Sequence, residues 1–95
     1  MASDQTAELI SALDQITKIL RGSNESHWAT WLEKDRKLIA NGDFYGVEHL
    51  LQAFGGMGSF NDFGVGEPDK DSRIDVLRSA IYDHAAALKR ARDRA

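Results

Sequence analysis

The side chains able to do chemistry are few and scattered. Histidines stand at positions 27, 49 and 84. No two are four residues apart and there is no HExxH, so a zinc site would need ligands gathered by folding from distant stretches. The absence of Cys removes thiolate ligands, thiol nucleophiles and disulfides. Glu48 and His49 are adjacent, but neighbours on a helix point about 100° apart, which leaves Glu48 poorly placed to orient the imidazole. Ser59 lacks the strand-to-helix elbow that exposes a nucleophilic serine. No reaction class follows. The expectation is a protein that is not an enzyme and has no metal or cofactor, with His84 a satisfied histidine at the edge of a core.

One stretch concentrates unusual residues: AFGGMGSFNDFGVGEPD at 53–69. Glycine clusters can cradle phosphate, but those that do follow a strand, open a helix and supply a Lys. Here the glycines follow a helical pattern, and residues 43–71 hold a single Lys among six acids. Asn61, Asp62, Glu67, Asp69 and Asp71 miss the calcium-loop register. The ordinary role of Asn61 and Asp62 is to bond nearby backbone in a turn. The alternative makes them the polar centre of a contact patch framed by Phe60 and Phe63.

The string GDFYGVEHLLQAFGGMGSFND at 42–62, with Trp31 upstream, resembles the signature of a group of small bacterial proteins of unknown function in which a GGMGSFND-type motif follows a helix. The resemblance runs from Trp31 to Phe63. It ends at Phe63-Gly64-Val65-Gly66, where that family commonly continues with an apolar stretch. It implies a bacterial origin and marks the loop, and brings no activity, cofactor or catalytic residue.

The elements around the loop follow from apolar spacing. Leu9, Leu13, Ile16 and Leu20, with Ile10 and Ile19 beside them, predict a helix from Ser3 to Arg21, capped by Ser3 or Asp4 and stopped by Gly22. Trp28, Trp31, Leu32, Leu38 and Ile39 predict a second, capped by Ser23, Asn24 or Ser26 and closed by Asn41-Gly42. A third opens at Asp43 and carries Phe44, Val47, Leu51 and Phe54, with Leu50 alongside, before Gly55-Gly56. Gly46 within it costs about 1 kcal/mol relative to Ala, which predicts a close helix contact or a distorted first turn. Pro68 and DKDSRID introduce the fourth, with Ser72 and Asp75 in capping-box spacing. Its seam of Ile74, Leu77, Ile81, His84, Leu88 and Ala91 demands a partner helix and would serve a homodimer. The whole predicts one all-α domain over 1–95: an antiparallel bundle of about four helices with a long Gly-rich loop between the third and fourth. That loop exceeds the usual bundle connection and is too rich in Met, Phe and Val for a solvated linker. It should fold back and bury Phe60 or Phe63.

Charge and hydropathy then rank the functions. Net charge is −3 overall, with −5 in residues 43–71 and +3 in residues 72–95. Without a basic face, nucleic-acid binding is not expected. No apolar run reaches the roughly 20 residues of a membrane span, and MASDQTAELI lacks signal-peptide features, so a cytoplasmic protein is expected. The basic tail KRARDR complements a helix C-terminus without any partner. The leading expectation is a protein-interaction module, analogous to bacterial immunity proteins and antitoxins, whose acidic third helix and loop dock on a more basic protein. The contact residues would be Met57, Ser59, Phe60, Asn61, Asp62 and Phe63 of the loop, with Trp28, Glu48 and His49 beside them. Trp28 and Trp31 could equally be core residues. The alternative is a small-molecule sensor with the loop as lid over an apolar pocket.

Overall fold

A computed structural model describes the backbone of residues 2–55 and 60–94, and the side chains of 5–55, 60, 61 and 63–94. Among the described residues there are four α-helices, α1 (Ala2–Gly22), α2 (Ser26–Ala40), α3 (Tyr45–Gln52) and α4 (Pro68–Arg94), and a 3₁₀ turn at Phe60–Asp62. They form an all-α bundle that closes on itself, because α1 packs on α2, α2 on α3, α3 on α4 and α4 back on α1. No helix among the described residues is long and apolar enough to cross a membrane.

The apolar stripes choose the contacts. α1 buries Leu9, Ala12, Leu13, Ile16 and Leu20, and α4 buries Ile74, Leu77, Ile81 and Ala85. The two long helices make the most extensive pairing in the molecule. The regular seam of α4 therefore finds its partner inside the chain. Its buried isoleucines and Leu77 are covered by the chain's own helices. His84 bonds Gln5 through Nδ1, as a boundary histidine should. On α2 the buried line is Ala29, Leu32, Asp35 and Ile39, with Trp28, Trp31 and Leu38 half-buried beside it.

Helix ends differ from the expected stops in informative ways. α1 includes residues 3 and 4, and runs through Gly22. The left-handed residue that ends it is Asn24, φ 60°, a residue type whose short polar side chain tolerates that conformation. Glu25 N–H donates to the Leu20 carbonyl (2.9 Å) and Asn24 N–H to that of Arg21 (3.2 Å), the two bonds of a Schellman motif. The residue preceding α2 is then Glu25, whose side chain makes no capping bond. The same motif ends α2 at Gly42, φ 79°, with Asp43 N–H on the Leu38 carbonyl (2.9 Å) and Gly42 N–H on that of Ile39 (3.0 Å). α3 is shorter than its apolar pattern: Asp43 Oδ1 accepts the Tyr45 N–H (3.0 Å), and the chain leaves the helix in turns at Ala53 and Phe54. α4 starts at Pro68, whose missing N–H suits the first helical position. Ser72 and Asp75 lie inside that helix and do not cap it.

Gly46 fulfils the close-contact expectation. A Cβ there would lie 2.8 Å from Leu38 Cβ and 2.9 Å from both the Asp35 carbonyl oxygen and Ile39 Cγ1. The α3 backbone thus rests directly on α2.

Candidate functional site

The loop is anchored by rings and by two charged side chains of α4. Phe60 is fully buried, its ring centroid 5.2 Å from Trp28, 5.9 Å from Phe54 and 6.0 Å from Phe63. Its N–H donates to the Ala53 carbonyl at 2.8 Å. Backbone groups enclosed in this way need partners, and α4 supplies them. Arg78 Nη1 donates to the carbonyls of Phe60 (2.7 Å) and Phe63 (2.9 Å), while its other arm pairs with Asp75. The Asp71 carboxylate accepts the N–H groups of Val65 (2.7 Å) and Gly66 (3.1 Å). Gly64 makes room for it, since a Cβ there would stand 3.3 Å from both carboxylate oxygens. One cation therefore holds the loop's carbonyls and one anion holds its N–H groups.

Sequence reasoning placed an aromatic of this loop in the core, and Phe60 is there. Full burial makes it a core residue and removes it as a surface contact in the folded chain. Asn61 is exposed and donates from Nδ2 to the Phe54 carbonyl (2.9 Å), the ordinary turn role. Phe63 and Trp28 are half-buried against the core. Met57, Ser59 and the Asp62 side chain lie outside the described residues.

A second constellation joins α2 to α3. The Asp35 side chain is 0% exposed, and its Oδ1 lies 2.5 Å from His49 Nδ1; the His49 side chain is 16% exposed. The His49 ring stacks on Trp31 at 4.3 Å between centroids, with Tyr45 at 5.7 Å on the same ring. Burial pushes the Asp35 carboxyl up to about 6, against the opposing pull of His49, Lys34 and Trp31. Asp35 Oδ2 and Trp31 Nε1 are both buried without a partner at hydrogen-bonding geometry, and the Trp31 indole is one of the groups that act on the Asp35 charge. His49 is thus oriented by Asp35, fourteen residues earlier, and its ring is occupied with the α2–α3 contact. Glu48 turns away, toward Arg92 at 3.7 Å, and the Arg92 guanidinium sits 4.2 Å over the Phe44 ring. The ordered basic end of α4 therefore neutralises part of the acidic middle.

Asp35 escaped notice because it reads as one charge in the run EKDRK. The signal that could have found it is its spacing, three residues after Leu32 and four before Ile39 on the buried line.

Three open clefts run along the α3–α4 side, about 410, 380 and 470 Å³ in volume. The first and second share Phe54 and Tyr82, and the second and third share Leu51 and Lys89, which makes one continuous groove. Asn61 borders one end, and Tyr45 and Glu48 the other. Tyr82 is 47% and Tyr45 50% exposed. Of the nominated residues the groove takes in Asn61 and Glu48. Trp28 and His49 line none of its three clefts, and Tyr45, Tyr82, Leu51 and Phe54 were missed. A separate apolar hollow between Ile39, Phe44, Val47 and Leu88 measures about 170 Å³, below the usual size of a ligand pocket. Beneath the described part of the loop lies the buried Phe60 ring. Among the described residues no three His, Asp or Glu side chains are grouped to hold a metal.

No curated protein and no solved structure matches the chain. A family model described as a domain of unknown function (DUF6966) matches residues 21–72. That span takes in α2, α3, the loop and the first turn of α4, including Trp31, Asp35, Gly46, His49 and Asp71. It covers more than half of the sequence, and the chain belongs to this family of domains of unknown function.

Proposed function

We propose that the protein is a small interaction module of the bacterial cytoplasm, and that its docking face is the groove between α3 and α4. The observation that carries this reading is the pair of half-exposed tyrosines, Tyr45 and Tyr82, flanking half-buried Leu51 and Phe54 in one continuous groove. Tyrosine at such a place offers a large rigid contact area and a polar tip, which is why it is enriched among interface anchors. Asn61 borders the same groove and adds a polar group. The partner is a protein segment with an apolar face, and its basic residues meet Asp83, Asp93 and Glu48 on the rim. Because Arg92 already engages Glu48 and Lys89 engages Asp93, charge guides approach more than it supplies affinity.

The test is capture from the source cell's lysate with wild-type bait and with a Tyr45→Ala/Tyr82→Ala bait, followed by titration of the purified candidate. Both side chains are exposed, so the fold should survive. The expected result is a protein retained by the wild type and lost by the double variant, with affinity reduced by about 2 kcal/mol or more in direct titration. Equal capture and equal affinity with both baits would contradict the reading.

A further inference from the structure

Among the described residues, Asp35 alone combines a titratable side chain with full burial. Its counter-charge is conditional, because His49 is cationic only when protonated. A proton on the pair either pairs the carboxylate with an imidazolium or neutralises the carboxylate itself. Without that proton a buried negative charge is left facing neutral donors, the His49 imidazole and the Trp31 indole, with Lys34, among the described residues, the only cation that acts on it, the situation that makes removing one member of a buried pair costly.

The pair also stands where α3 is held. α3 has only eight residues, and it packs more extensively on α2 than on α4. Gly46 sets its backbone against the Asp35 carbonyl. Downstream, Ala53 receives the N–H of Phe60, and Phe60 touches Trp28, which lies 5.3 Å from Trp31 in the stack on His49.

We propose that the Asp35–His49 pair is a proton-operated latch: with its proton, α3 and residues 60–66 are held on α2, and when the proton is lost they loosen while α1 and α4 stay packed.

The surrounding charges do not replace that proton. On α2, Lys34 helps hold the carboxylate's charge, and His27 reaches Trp31 at 6.3 Å. On α3, Tyr45 lies beside His49 while Glu48 is directed to Arg92 of α4. Asp14 of α1 is committed to Arg36. The direction follows from linkage. Burial raises Asp35 from 3.8 to about 6, so the folded state binds a proton that the unfolded state releases. The stability this contributes is complete below the unfolded value and is lost as pH rises to about 6. Since Tyr45 and Leu51 ride on α3, the latch also controls the groove, a consequence that rests on the docking reading; the experiment uses the isolated chain and is independent of it.

Backbone amide and indole N–H resonances of the full chain are followed from pH 4 to 8, with hydrogen exchange corrected for intrinsic rates, in wild type and Asp35→Asn. The expected result is one transition near pH 6 shared by the Trp31 indole, the α3 amides and residues 60–66. Protection in α3 should fall at least ten-fold more than in α1 as pH rises, and Asp35→Asn should abolish the transition. A wild type whose α3 and α1 respond alike, or a transition that survives Asp35→Asn, would overturn the latch. Should Asp35→Asn fail to fold, the wild-type comparison of α3 with α1 decides.

Discussion

Between α1 and α4 the contact is a stripe of leucine, isoleucine and alanine, whereas α2, α3 and the loop meet through rings, a buried Asp–His contact and backbone groups held by charged side chains. Aliphatic contact is non-directional and tolerates volume-conserving exchange. The other half depends on direction: Arg78 must reach two carbonyls, Asp71 two N–H groups and Asp35 one imidazole nitrogen. The family match falls mainly on the directional half, residues 21–72. The difference teaches that α1 and most of α4 act as a scaffold, and that the specific content of the molecule is mounted on it.

Substitutions sharpen or break this contrast. The largest effect is expected from Phe60→Ala, which empties a fully buried ring site where the loop meets Trp28 and Phe54. A loss of about 3–5 kcal/mol should appear in denaturant unfolding; a loss under about 1 kcal/mol would mean the loop is not part of the core. Gly46→Ala comes next, at about 2–3 kcal/mol, because the new methyl meets a backbone carbonyl and two packed side chains. Here a methyl added to the directional half should cost more than one removed from the scaffold. Arg78→Leu should lose about 2 kcal/mol, since the Phe60 and Phe63 carbonyls lose a charged donor, with loosening confined to residues 60–66 by amide exchange. Ile81→Val in the scaffold should cost only about 1 kcal/mol and leave the loop amides unchanged.

The contrast also explains what the sequence could reveal. Helix number, all-α class and the inward faces of α1 and α4 were legible, because aliphatic periodicity is local and repeats along the chain. Gly46 was legible as a close contact, since a helix interior tolerates glycine only at a cost. The partners of the loop were not. Arg78 and Asp71 look like ordinary charges of a polar helix, and their role depends on the path of a segment up to eighteen residues away. The last helix's seam signalled a partner without saying which, and α1 proved to be that partner. Asp35 was hidden by its charged neighbours, while Tyr82 lay one residue beyond the buried Ile81.

The most direct test of the account is hydrogen exchange at the Phe60, Val65 and Gly66 amides in the wild type, compared with the amides of α3. Each loop amide has a partner in the fold, the Ala53 carbonyl or the Asp71 carboxylate. The account expects protection within about ten-fold of α3, as for a segment that opens together with it. Exchange of all three at the rate of an unstructured peptide would contradict it, because the loop would then be a tether between helices and not a built part of the site.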